Sequence, residues 1–145
     1  MGVDPAKNET VVMRLRADAT LKADHLGQPW VTDGYEWHAH PDLVERLRDL
    51  KSYTPEARLQ FVFGIPALCA PNGRIFATAA GTSSLHLFLP DVTEWGQPYP
   101  EYGGSWRRGF AWVMGRESTQ EDENRIVSFV RLAYWKANID DSPKT

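Results

Sequence analysis

Between Phe61 and Pro90 the chain carries a single charged side chain, Arg74, and two turn signals divide this apolar run into short pieces. Asn72-Gly73 readily adopts the positive φ values of a tight turn, and Gly81-Thr82-Ser83 supplies the second break. Short apolar runs separated by turns are typical of strands that follow one another in an antiparallel meander. We therefore predict three strands, around residues 67–70, 74–80 and 84–89.

Two amphipathic helices flank this run. Pro41 suits a first helical position, where its missing N–H would be unpaired anyway, and the apolar residues after it recur at helical spacing at Leu43, Val44, Leu47 and Leu50. The closing helix begins at the capping box Ser118-Thr119-Gln120-Glu121. Its apolar face consists of Ile126, Phe129, Val130, Ala133 and Tyr134, and it ends near Ala137. A further strand is predicted at Trp112-Val113-Met114.

These elements predict the fold class. A leading helix, a meander, a late strand and a terminal helix favour an α+β two-layer sandwich, in which an antiparallel meander sheet carries the leading helix and the C-terminal helix on one face. The chain divides into an N-terminal extension at residues 1–40, the α+β domain at 41–140 and a tail at 141–145. In the extension, residues 11–18 alternate between apolar and charged and predict a half-buried edge strand. A packed loop follows that strand.

Composition narrows the class of protein. A chain of 145 residues, 42% hydrophobic and 24% charged with a net charge of −3, is neither a disordered chain nor a polycation. Its longest uncharged run is shorter than the ~20 apolar residues that span a membrane, and no basic and apolar leader opens the sequence. We therefore expect a cytoplasmic protein without membrane contact. The single cysteine, Cys69, excludes an intramolecular disulfide and lies in an apolar run typical of the core.

From Asp42 onward, the order of motifs resembles the TfoX N-terminal/YjbR-like group of small α+β proteins. The matching features are the leading helix, Phe63-Gly64-Ile65-Pro66-Ala67-Leu68, Asn72-Gly73-Arg74-Ile75-Phe76-Ala77, Leu85-His86-Leu87-Phe88-Leu89-Pro90, the late tryptophan strand and the closing helix. They cover roughly two-thirds of the chain; the region after Pro90 departs from the group in its aromatic and glycine content. The end of the chain is also similar to the luciferase-like small proteins. The first resemblance implies a non-enzymatic protein linked to competence regulation or DNA binding.

The segment from Asp91 to Phe110 is the main candidate for a contact surface. It combines glycines and prolines with large aromatics and two arginines, and a long loop inside a compact domain is often functional. The aromatics can stack on a planar ligand or a protein partner while the guanidinium groups meet its charge. The alternative is that the aromatics fold back as a lid over the sheet. The candidate residues are Trp95, Tyr99, Tyr102, Trp106, Arg107 and Arg108.

A second candidate is a metal site at Glu36, His38 and His40. In an extended segment these three side chains fall on one face, and imidazole and carboxylate groups ligate Zn²⁺ and other transition metals. The alternative is a loop in which His38 makes an ordinary hydrogen bond and His40 precedes the helix at Pro41. A structural zinc site needs four ligands, and the spacing identifies no fourth.

Catalysis and DNA binding are disfavoured. The sequence has no nucleophile elbow, dinucleotide fingerprint or phosphate-cradling loop with lysine. It also has no clustered lysine and arginine stripe of the kind that phosphate backbones require, so DNA remains a possible partner without being favoured. We therefore predict a non-catalytic binding or regulatory protein that acts through the aromatic loop and needs no cofactor. The alternative is a small-molecule- or metal-binding protein, or an enzyme, that uses Glu36, His38 and His40. The oligomeric state stays open.

Overall fold

The structure, a computed structural model, describes residues 3–22, 41–62, 64–80, 84–110 and 120–139. These form three α-helices, six strands and a short 3₁₀ helix at Pro100–Tyr102. The helices are α1 (Glu9–Lys22), α2 (Pro41–Lys51) and α3 (Gln120–Ile139). The strands are β1 (Arg58–Val62), β2 (Ile65–Cys69), β3 (Ile75–Ala80), β4 (Ser84–Phe88), β5 (Gln97–Pro98) and β6 (Trp106–Phe110).

The strands form one antiparallel sheet in the order β1-β2-β3-β4-β6-β5. The predicted meander is its centre, where Thr78 lies opposite both Ala67 of β2 and His86 of β4. One register shift interrupts the pairing of β2 with β3, so that Leu68 faces Ala77 but Cys69 faces Ile75. Strands β1 and β5 and the position of β6 were not predicted; β5 and β6 lie within the segment predicted as a loop. The predicted strand at 112–114 lies outside the described residues.

Helices α2 and α3 pack side by side on one face of the sheet. Helix α2 contacts β1, β2 and β3, and α3 contacts β3 and β4. Arg46 of α2 forms an ion pair with Glu123 of α3, which joins the two helices. The predicted α+β fold, with the leading and C-terminal helices on a meander sheet, is confirmed. None of the helices in the described residues is long and apolar enough to cross a membrane.

The predicted edge strand at residues 11–18 is wrong, because these residues belong to α1. The alternation of Met13, Leu15 and Ala17 with charged residues is too short to decide between periods of two and 3.6, and Val11 and Leu15 are buried in the core. They lie four residues apart, which is the spacing of one helix face. Helix α1 contacts the 3₁₀ helix and β1.

Asn8 attaches the start of α1 to the turn between β2 and β3. Its side chain is fully buried. The Nδ2 group donates to the carbonyl oxygens of Asp4 and Gly73, at 2.8 and 2.7 Å, and Oδ1 accepts from the backbone N–H of Ile75 at 2.8 Å. Gly73 has a φ of +93°, as the predicted Asn-Gly turn requires. One side chain therefore satisfies three backbone groups and joins two distant parts of the sequence.

Candidate functional site

The structure places most of the predicted aromatic surface inside the molecule. Trp106 and Tyr102 are fully buried, and Trp95 is 5% exposed. Tyr99 is half-buried and packs against the buried side chains, while Arg107 is partly buried. Of the six predicted contact residues, only Arg108 is exposed. Three of the four large aromatic side chains of this prediction, Trp95, Tyr102 and Trp106, therefore belong to the core.

The buried aromatics form a cluster on the face of the sheet opposite α3. Tyr102 makes edge-to-face contacts with His86 and Trp106, with ring centroids 5.0 and 5.3 Å apart. Trp106 contacts Phe88 in the same geometry. Within this cluster the hydroxyl of Thr78 lies 3.2 Å from Nδ1 of His86 and donates to the Tyr102 hydroxyl at 3.4 Å. Edge-to-face aromatic packing and internal hydrogen bonds are typical of a rigid core.

Arg107 holds the loop that precedes β5. Its guanidinium group donates to the carbonyl oxygens of Trp95 and Thr93, each at 3.1 Å, and to that of Gly96 at 3.4 Å. The guanidinium group of Arg107, which was predicted to meet a partner's charge, therefore already donates to three carbonyl oxygens of the loop. Hydrogen bonds from the backbone N–H and the hydroxyl of Thr93 lower the pKa of the neighbouring Glu94 carboxyl.

Trp95 folds onto the opposite face, against α3. Its ring lies 5.6 Å from that of Phe129 and directly over Gly109, where a Cβ atom would approach the indole within 2.5 Å. Arg125 of α3 also donates a hydrogen bond to the carbonyl oxygen of Glu94. The loop is therefore fastened both to β6 and to α3.

A solvent-open cleft of about 400 Å³ lies between α2 and α3. We call it the α2–α3 cleft. Its walls carry guanidinium, hydroxyl, carboxylate and aromatic groups from both helices and from the turn after α2. The lining residues are Arg46, Arg48, Asp49, Leu50, Ser52 and Tyr53 on one side and Glu123 and Val127 on the other. At the base the ion pair between Arg46 and Glu123 spans the gap.

Closer to its C-terminus than the cleft residues, α3 carries a line of exposed side chains that we call the α3 ridge: Arg131, Trp135 and Ile139. Trp135 is 56% exposed and Ile139 is 61% exposed. The three residues are spaced by four, so they follow one another along a single side of the helix. The Tyr134 hydroxyl donates to the carbonyl oxygen of Pro55, which holds this half of α3 against the turn that contains Tyr53. The ridge follows the cleft residues Glu123 and Val127 along α3 at the same spacing of four.

The predicted metal ligands Glu36, His38 and His40 lie outside the described residues, so the metal site stays a prediction. In the part of the chain that the structure describes, no three histidine, cysteine or acidic side chains are grouped as a metal would require. Cys69 is buried, and burial raises the pKa of its thiol to about 11. A thiol held protonated is a poor nucleophile and a poor metal ligand.

The sequence analysis missed the α3 ridge, although the signal was present. The predicted apolar face of the last helix has a period of 3.6, and its members Ile126, Val130 and Ala133 are buried. Trp135 and Ile139 fall outside that pattern. A tryptophan on the polar side of an amphipathic helix is informative because its exposure has no role in packing the core. The cleft depends on how two distant helices meet, which no local pattern reveals.

Comparison with known proteins does not assign the chain to a family. No family profile, curated protein or solved structure matches the chain. The resemblance to the TfoX/YjbR-like group therefore stays a prediction, and function has to be argued from the surface itself.

Proposed function

We propose that this chain is a non-catalytic binding protein, of the kind that the TfoX/YjbR resemblance implies, and that it contacts a protein partner through the α3 ridge and the adjoining α2–α3 cleft. The observation that carries the proposal is the exposure of Trp135 and Ile139 one turn apart on α3. Large apolar side chains held in water favour association, because a partner that covers them removes apolar area from water.

The composition of the surface supports a protein partner. Tryptophan, tyrosine and arginine are the side chains that most often dominate binding energy at protein interfaces. Trp135 and Arg131 are on the ridge, and Tyr53, which is 49% exposed, is on the cleft wall. All three lie on α3 or on the turn after α2, which the bond from Tyr134 to Pro55 holds together. The surface therefore offers rigid anchors beside a concave, polar rim.

The predicted contact at the aromatic loop is less well supported. Trp95, Tyr102 and Trp106 are buried, and Arg107 is bonded to loop carbonyls. Binding through their side chains needs the core to open, which costs the free energy of local unfolding. The α3 ridge needs no such opening.

A capture experiment tests the proposed function. The wild-type chain, Trp135→Ala and Met13→Ala are each immobilised and exposed to extract of the cells that make the protein. Met13 is the matched control, because it is an apolar side chain on α1 that is 68% exposed. We expect a discrete partner that Met13→Ala retains and Trp135→Ala loses. The purified partner then gives Kd values by calorimetry; equal Kd values for the two variants contradict the proposal.

A further inference from the structure

The charges along α3 are separated by sign. Its acidic side chains, Glu121, Asp122 and Glu123, all stand in the first turn. From Val127 to the end of the helix the charged residues are Arg131 and Lys136, both cationic. Both charged residues in the half of α3 that carries the exposed tryptophan are therefore basic, although Asp140 and Asp141 follow the helix in the sequence and the whole chain has a net charge of −3.

Arg131, the cation on the ridge, does not contribute a polar contact to the described part of the fold. Arg131 is exposed and, within the described residues, makes neither an ion pair nor a hydrogen bond. Other arginines of this surface are engaged, Arg46 with Glu123 and Arg48 with Glu45. Lys136 lies with Nζ 6.0 Å from the centroid of the Trp135 ring. A guanidinium group whose donors are all directed to water can take a carboxylate in a bidentate pair without breaking an internal bond.

We infer that the α3 ridge receives an acidic segment of a protein partner, in which carboxylates flank one or two large apolar side chains. The inference rests on the proposed function and names the partner's chemistry. Trp135 and Ile139 supply the apolar contact, and Arg131 and Lys136 supply the complementary charge at its edge. Electrostatic complementarity of this kind sets which partners are accepted and how fast they associate.

An anionic membrane surface is a poorer fit to the same cations. Asp49 and Glu123 line the adjoining cleft, and Glu45 is 71% exposed beside Arg48. A flat anionic surface that meets the ridge also approaches these carboxylates, which repel it. A peptide segment has a shape of its own and can place its carboxylates along the ridge alone. The acidic peptide is therefore the occupant that the charge pattern favours.

Selection from a random peptide library displayed on phage tests the inference. The wild-type chain is the bait, and phage that also bind Trp135→Ala are removed. We expect the selected peptides to be enriched in aspartate and glutamate around aromatic or aliphatic residues. An enrichment in lysine and arginine, a set without charge preference, or no recovered peptide at all overturns the inference.

Affinities of one selected peptide sharpen the test. We expect Trp135→Ala to weaken binding about 10-fold or more, as truncation of an interface hot spot does. Arg131→Gln should weaken it several-fold and reduce its sensitivity to salt, and Met13→Ala should leave it unchanged. The same peptide with Asn and Gln in place of Asp and Glu is the matched control, and equal affinity for it overturns the inference.

The outcomes separate the two proposals. Peptides that depend on Trp135 but carry no acidic residues leave the binding surface in place and reject the acidic partner. If no peptide is left once the phage that bind Trp135→Ala are removed, both proposals are rejected. Binding to phosphatidylserine vesicles is the remaining measurement. If wild type binds the vesicles, Arg131→Gln does not, and no acidic peptide is selected, the ridge is assigned to a membrane surface instead.

Discussion

Truncation of Trp106 distinguishes a core role for the aromatic segment from a surface role. The side chain is 1% exposed and contacts the rings of Phe88 and Tyr102 at centroid distances of 5.9 and 5.3 Å. Trp106→Ala removes these contacts and leaves a cavity, so we expect the free energy of unfolding to fall by about 3–5 kcal/mol. Domains of this size have a total stability of about 5–15 kcal/mol, so the loss is a large share of it.

The matched substitution on the surface is Trp135→Ala. Its ring is 56% exposed, and alanine is the better helix former, so we expect the free energy of unfolding to change by no more than about 0.5 kcal/mol. Both variants are unfolded in urea at constant pH and temperature, and the helical signal in far-ultraviolet circular dichroism is followed, because indole fluorescence changes with the substitution itself. In thermal unfolding Trp106→Ala should lower Tm by roughly 6–20 °C.

The reasoning is refuted if Trp135→Ala lowers the free energy of unfolding more than Trp106→Ala does. If Trp106→Ala unfolds with nearly the wild-type free energy and yet loses its partner, then the aromatic segment is a surface and the described burial is irrelevant to function. Trp106→Phe provides a second check. The indole N–H makes no hydrogen bond to a described residue, so phenylalanine loses volume but no bond, and its cost should be clearly smaller than that of alanine.

Three other predictions concern the framework. Asn8→Ala, which removes three hydrogen bonds and leaves the N–H of Ile75 unpaired, should cost about 2–4 kcal/mol in urea unfolding; a cost under 1 kcal/mol contradicts the attachment of α1. Gly109→Ala, whose Cβ would approach Trp95 within 2.5 Å, should cost about 1–3 kcal/mol by the same measurement. Burial raises the pKa of Cys69 from 9.0 to about 11, so this residue's contribution to stability is complete below pH 9 and declines as pH rises through 11. Cys69→Ala should flatten that decline, and the native thiol should not react with a soluble disulfide reagent at pH 8.

The centre of the fold was predictable because its signals are local. A long uncharged run cut by Asn72-Gly73 leaves few choices other than short antiparallel strands. Pro41 and the apolar residues at helical spacing determine α2 in the same way. These features depend only on neighbours in sequence, so the meander and both flanking helices were predicted at their positions.

The other features of the fold and of the candidate site depend on tertiary contacts. The alternation in residues 11–18 was read as a strand, whereas the burial of Val11 and Leu15 against the sheet selects a helix. The aromatic segment was predicted as a contact surface, with a lid folded over the sheet as the alternative, because aromatics serve both cores and interfaces; only the pairing of β6 with β4 decides between the two. Trp135 was visible in the sequence as an apolar residue off the buried face, but its place beside the cleft requires the packing of α2 on α3.

Site-specific photo-crosslinking tests the central claim most directly. A photoreactive phenylalanine analogue replaces Trp135 in one chain and Met13 in another, and each is irradiated in the cells that make the protein. An aromatic replacement keeps a ring at position 135, and both sites are well exposed, at 56% and 68%. The account predicts a discrete adduct at position 135 that is absent at position 13. No adduct at position 135, or the same adducts at both positions, contradicts it.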